Sequence, residues 1–194
     1  MSNPPSFERK LALGHEGEKL VSEWLRFCCG CGVIESYGFL SHDSEDKAPK
    51  LRFARDAFVL PDLDVCLAGK RYWLEVKTLG YSPENRRLGI RVHGIRRRHY
   101  QHYLEVGRQT GNLVHLCVLE MESGDILIAE LGSLTPYPCQ CGGCTGGGRC
   151  RVTNFDLVYF DRAELTVVAN LRGHASFEAL RARWESGGRP LRTG

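Results

Sequence analysis

The stretch Pro61-Asp62-Leu63-Asp64-Val65-Cys66-Leu67-Ala68-Gly69-Lys70-Arg71-Tyr72-Trp73-Leu74-Glu75-Val76-Lys77 decides how the chain is read. Two runs of strand-forming residues flank Ala68-Gly69, the pattern of a β-hairpin with a two-residue turn. With Ala68 and Gly69 in the turn, Leu67 pairs with Lys70. Counting outward then sets Asp64 opposite Trp73 and Asp62 opposite Glu75. Opposed residues project to one side of a sheet, and Glu75 and Lys77, two apart, share that side as well. The hairpin therefore gathers Asp62, Glu75, Lys77 and, further along, Asp64 on one patch.

Carboxylates facing each other across a sheet repel. A divalent cation removes the conflict. Mg²⁺, or Mn²⁺ in its place, takes one or two carboxylates together with water and phosphate oxygens. The expected ligands are Asp62, Glu75 and the backbone carbonyl of Val76, with Asp64 as an alternative carboxylate. Such an ion activates water and stabilises charge on a phosphodiester in transfer. Lys77 is placed to orient that water or to neutralise developing negative charge. An isolated Glu-x-Lys is ordinarily a salt-bridged surface. The Asp at hairpin distance and the apolar Tyr72, Trp73, Leu74 and Val76 set this one apart.

Outward from the hairpin, residues 11–27 carry Leu13, Gly17, Leu20, Val21, Trp24 and Leu25 on one helical stripe. Strands are expected at 33–40, 52–60, 114–121, 126–131, 155–160 and 165–171, with helices at 100–108 and 176–184. Residues 41–50 read as a loop. Ser123-Gly124-Asp125 reads as a turn. A helix, then strands, then mixed elements predicts an α/β fold built around one mixed sheet. The 194 residues suffice for one full core, and the net charge of +3 permits a nucleic-acid partner without demanding one. No apolar run is long enough to span a membrane. No apolar leader opens the sequence, so an intracellular, cytoplasmic protein is expected.

These residues resemble the PD-(D/E)xK nuclease superfamily, which includes restriction endonucleases, Holliday junction resolvases and phage recombination nucleases. Pro61-Asp62 and Glu75-Val76-Lys77 supply the two halves of the motif. Gly14-His15-Glu16-Gly17-Glu18, followed by the apolar stripe, is similar to the superfamily's first motif, in which a helix glutamate faces the metal site. Glu18 matches best, with Glu16 in reserve. The segment from His93-Gly94-Ile95 through Tyr100, Tyr103 and Thr110-Gly111 to Val114 resembles phage-type members, and Val158 to Arg162 their closing strand. The resemblance implies a restriction-endonuclease-like central mixed β-sheet flanked by helices. It also implies Mg²⁺-dependent hydrolysis of DNA, with Asp62 and Glu75 as ligands, and Lys77 and Glu18 completing the catalytic set. A single nuclease domain is expected over residues 1–172, with a helix and tail at 173–194. DNA is expected in preference to RNA, and a homodimer is compatible with the pattern.

Nine cysteines in such a chain favour metal over disulfides. Four of them, Cys139, Cys141, Cys144 and Cys150, fall within a glycine-rich loop at residues 136–152. Four thiolates suit a closed, structural Zn²⁺ site. An iron–sulfur cluster is the next reading and free thiols the third. Cys28, Cys29 and Cys31 read as thiols at the end of the first helix. The densest positive stretch is Arg86, Arg87, Arg91, Arg96, Arg97, Arg98 and His99, in which Arg91, Arg96, Arg97 and Arg98 are the expected phosphate contacts. Tyr100 and Tyr103 are candidates for base stacking or for core. His15, His93 and His102 carry no paired metal spacing and are expected at most to touch phosphate. Two other readings compete with hydrolysis: a catalytically silent nucleic-acid-binding module and a zinc-stabilised protein-interaction domain.

Overall fold

The computed structural model describes residues 7–40, 49–53, 56–80, 84–85, 88–139 and 156–186. It opens with helix α1 (Phe7–Gly30) and continues through β1 (Ser36–Phe39), β2 (Lys50–Arg52), β3 (Ala57–Val59), β4 (Leu63–Leu67), β5 (Lys70–Leu79) and β6 (Glu84–Asn85). Next come β7 (Ile90–Arg96), α2 (Arg97–Thr110), β8 (Val114–Glu120), β9 (Asp125–Glu130), β10 (Tyr137–Pro138) and β11 (Leu157–Asp161). A short 3₁₀ turn (Arg162–Glu164), β12 (Thr166–Asn170) and helix α3 (Ala175–Ser186) complete it.

The main sheet has the order β1-β4-β5-β8-β9-β12. Only β5 and β8 run parallel, and α2 makes the crossover between them, so the sheet is mixed and flanked by helices. The hairpin register is the expected one: Leu67 faces Lys70, Asp64 faces Trp73 and Leu63 faces Leu74. Its turn places Ala68 at φ 51° and Gly69 at φ 71°. Both are left-handed, as a two-residue turn with matching strand twist requires. Glycine adopts this freely, whereas Ala68 is held there at some cost.

Each face of the sheet buries its own core. Leu74 and Val76 of β5 face one way, where Leu20, Val21 and Leu25 of α1 and Phe177 and Leu180 of α3 close over them. The α1 stripe is the one expected from its spacing. Gly17 is part of it for a steric reason: a Cβ there would lie 1.7 Å from Oγ1 of Thr78 on β5. Trp73 faces the other way, into a core shared with Tyr103 and Val106 of α2, Ile95 of β7, and Val158 and Phe160 of β11. Those last strands belong to a second sheet, ordered β10-β11-β7-β6.

One expected strand divides, and the basic stretch takes a definite form. Residues 52–60 do not form one strand; β2 and β3 pair with each other as a separate hairpin, Lys50 opposite Val59. Within the basic stretch, Ile90–Arg96 is a strand, β7, and Arg97 and Arg98 open α2. Pairing with β11 through Val92↔Asp161 to Arg96↔Leu157 outweighs the unfavourable charge and Gly94 within it. Helix α3 lies where a helix is expected at 176–184, with Phe177 fully buried and Trp184 against Gly80 at the end of β5. No described helix is long and apolar enough to cross a membrane.

Candidate active site

Three short-range devices build the site at the end of the β4–β5 hairpin. Leading into β4, Asp62 accepts a hydrogen bond from the Val76 N–H through Oδ2 at 2.7 Å, which fixes its carboxylate beside β5. Glu75 points into the sheet face toward α2 and is 2% exposed. Lys77, two residues on, donates from Nζ to Glu75 Oε1 and to the Val76 carbonyl, the latter at 3.1 Å. The other oxygen, Glu75 Oε2, is buried with no hydrogen-bond partner among the described residues.

Burial is costly for a charged carboxylate without full compensation. Asp62 shows this directly. Burial, and then the charge of Glu75, push its pKa from 3.8 up to about 7, against the pull of Lys77 and the Val76 N–H. Lys77 behaves oppositely. Burial disfavours its ammonium, but the charges of Glu75 and Asp62 prevail and raise its pKa above the usual lysine value. Glu18 joins the group from α1. Burial, followed by the Asp62 charge, raises its pKa, while His15, with Nδ1 3.5 Å from Oε2, and Lys77 oppose the rise. The close approach of Gly17 to Thr78 is what brings α1, and Glu18 with it, onto β5.

The residues fit a hard divalent ion on their donor chemistry. Two adjacent carboxylates, one holding an unpartnered buried oxygen and the other with its pKa raised by burial and then by its neighbour's charge, are relieved by one cation. Among the described residues no three His, Cys, Asp or Glu side chains close a protein-only cage.

Asp64 is elsewhere. Its carboxylate pairs with Arg71 at 3.1 Å and lies over Gly38, where a Cβ would sit 2.7 Å from Oδ1. Two site residues carry other readings in the sequence, Tyr103 as base stacking or core and His99 as part of the positive stretch. Tyr103 of α2 is 2% exposed and turned to Glu75, though no hydrogen bond of normal geometry closes on Oε2. Burial first, then the charges of Glu75 and Asp62, raise its pKa well above that of a free phenol. His99 packs edge-on to Tyr103 with ring centroids 5.9 Å apart. Burial, and next the charge of Lys77, lower its pKa to about 4, so it is neutral at pH 7. Their spacing of four, continued by Val106, is the helical signal that could have placed both on one inward face.

The basic stretch divides. Arg91, Arg96 and Arg98 are exposed, whereas Arg97 is half-buried and paired with Asp156. Arg86 and Arg87 lie outside the described residues. Tyr100 is half-buried against Phe160, 5.6 Å between centroids, and Tyr103 is in the core. His93 is 1% exposed and bound to Glu120, out of reach of phosphate. Cys28 is buried at the end of α1, Cys29 is half-buried and Cys31 exposed. Of the loop cysteines, Cys139 is buried at the foot of the loop; Cys141, Cys144 and Cys150 lie outside the described residues.

Neither a protein-family model nor a curated protein matches the chain. Among solved structures it is similar to a Holliday junction resolvase, Hjc, from the archaeal hyperthermophile Archaeoglobus fulgidus. That likeness has 11% identity and a TM-score of 0.37, and covers 62% of this chain and 77% of the other. It is also similar to a nuclease from a fusselovirus, with 12% identity, a TM-score of 0.40, and coverage of 96% and 99%.

Proposed function

We propose that the chain is a metal-dependent phosphodiester hydrolase acting on DNA. The observation that carries this reading is the cluster of Asp62, Glu75 and Lys77 on one hairpin face, Glu75 buried and the other two half-buried, with Glu75 Oε2 unpartnered among the described residues. Asp62, Glu75 and the Val76 carbonyl are the groups that would hold Mg²⁺ or Mn²⁺. When bound, the ion supplies Lewis-acid polarisation of the phosphate and a water of lowered pKa. Asp64 is not assigned to it, because Arg71 already neutralises its carboxylate. The choice of DNA over RNA rests on the sequence resemblance.

The chain's own groups have distinct parts. Lys77, its ammonium stabilised by Glu75 and Asp62, remains a donor at neutral pH and does not act as a base. It orients an incoming oxygen and counters charge that builds on the phosphate. Glu18 borders the same space from the opposite layer and holds a proton more readily than a solvated glutamate. Tyr103 and His99 restrict water on the α2 side and fix the rotamer of Glu75. In the Cys-rich loop, Cys139, Cys141, Cys144 and Cys150 are proposed to hold a structural Zn²⁺, away from the hydrolytic chemistry.

The test is cleavage of end-labelled single-stranded, duplex and branched DNA with Mg²⁺ or with EDTA. Glu75→Gln and Lys77→Met are expected to lower the rate by about 10²- to 10³-fold while the fold persists. Full activity of Lys77→Met on every substrate would refute the assignment.

A further inference from the structure

We propose that the β2–β3 hairpin is a stacking platform for an unpaired nucleotide base, so that the strand reaching the Asp62–Glu75–Lys77 cluster is presented single-stranded. The binding claim stands by itself, and only the fate of the bound strand rests on the hydrolase reading.

The hairpin is built as a rigid arm. Leu51, Phe58 and Val59 pack into the core beneath α2. The Val59 N–H donates to His102 Nδ1 at 3.1 Å, and Phe58 meets the His102 ring edge-on at 5.7 Å. Between the arm and the site lie only Leu60 and Pro61, so Val59 and Asp62 are at most about 11 Å of chain apart. Phe53, by contrast, is 37% exposed and is not part of either core. It leans on Phe58 with centroids 5.8 Å apart. Phe53, Phe58 and His102 thus form an aromatic ladder whose outer rung faces solvent.

Cations line this ladder. Lys50 and Arg52 are exposed on β2, and Arg98 is exposed in the first turn of α2. The two imidazoles between them report the potential. After burial, His102 is held below its usual pKa by Arg98 and Lys50. After burial, His99 is held low by Lys77, Arg96, His102 and Arg98. Exposed cations of β2 and of the first turn of α2 therefore flank the ladder. A basic track alone accepts any phosphodiester backbone. The exposed aromatic ring selects further, because bases within a duplex already stack on one another and only an unpaired base offers a free face. Phe53 is the exposed ring that stands beside these cations.

Binding in EDTA, read by fluorescence anisotropy on a labelled single-stranded oligonucleotide and a blunt duplex, tests this without cleavage. Phe53→Ala is expected to weaken single-strand binding about tenfold and duplex binding by less than about twofold. Phe53→Trp is expected to retain single-strand affinity. Phe53→Leu keeps apolar volume without a π face and is expected to behave like Phe53→Ala, which guards against misfolding of the smaller variant. A 2-aminopurine base in the single strand is expected to be quenched on binding, and the quench lost in Phe53→Leu. Equal losses on both substrates, or none on either, overturn the platform. Hydrolysis by the wild type with Mg²⁺ alongside unselective Phe53 variants leaves the hydrolase and removes the platform; selective binding without hydrolysis does the reverse.

Discussion

Asp62 sets the electrostatic balance of the site, because its ionisation is opposed by burial and by Glu75 and assisted by Lys77. The sign for stability follows. Between its ordinary pKa of 3.8 and the folded value of about 7, the unfolded chain releases the Asp62 proton while the folded chain keeps it. The unfolded state then binds fewer protons, so this group's contribution is full below the lower value and is lost as pH rises through the upper one. In EDTA, wild-type stability is expected to fall from about pH 5 to about pH 8 more steeply than that of Asp62→Asn, which cannot titrate. Mg²⁺ competes with the same proton, so its stabilising effect is expected to be larger at the higher pH. Urea midpoints at both pH values, with and without Mg²⁺, check this; parallel wild-type and Asp62→Asn slopes would refute it. The pairing of Asp62 with Glu75 could be read from the sequence because a two-residue turn leaves one register. The inward turn of Tyr103 and His99 left only their helical spacing as a signal, and that spacing puts both on one face without saying which layer covers it.

Elements matter here through how closely they approach. Helix α1 carries Glu18 to the sheet only because Gly17 leaves room for Thr78 on β5. Gly17→Ala improves intrinsic helix propensity by up to about 1 kcal/mol, yet its methyl would enter the Thr78 side chain. The clash is expected to win, with a net loss of about 1–3 kcal/mol and displacement of Glu18. Thr78→Ala in the same chain is expected to restore much of the loss, and thermal melts of the single and double variants measure it. The apolar stripe of α1 was legible because its period is helical. The split of residues 50–59 into two strands was not, because each strand has three residues and its pairing depends on His102, more than forty positions away. A second element-scale expectation concerns the loop between β10 and β11. The pairing of Tyr137 with Tyr159 and the Cys139 N–H bond to the Leu157 carbonyl bring its two ends together. Protein purified without chelator is expected to hold near-stoichiometric zinc, lost in Cys141→Ser with Cys144→Ser, while DNA hydrolysis survives. Elemental analysis decides among zinc, iron and neither.

At the scale of the whole molecule, the two sheets are joined by a buried ionic network that no sequence spacing announces. Glu120, at the end of β8, is 2% exposed. It lies 3.2 Å from His93 Nε2 on β7 and accepts two bonds from Arg162, Nε at 2.9 Å and Nη2 at 2.8 Å. Arg162 also reaches Asp125 at 3.2 Å, and Ser123 donates to Glu120 at 3.1 Å. His93, Glu120 and Arg162 are far apart in sequence and unremarkable singly, so only the closed tertiary structure reveals that they meet. Within the β5–β8 pair, Glu120 faces Leu79, two residues beyond Lys77, so the network braces the parallel strands that carry the site. A buried charge left unpaired costs far more than an exposed pair contributes. Arg162→Leu removes the bidentate partner and leaves Glu120 buried beside His93. It is expected to cost about 3–5 kcal/mol. Arg162→Leu with Glu120→Leu removes both charges and is expected to recover a large part of that loss. A double-mutant cycle in urea reads the coupling. Additive losses would mean that Glu120 is stabilised by its other partners and that Arg162 does not hold the sheets together.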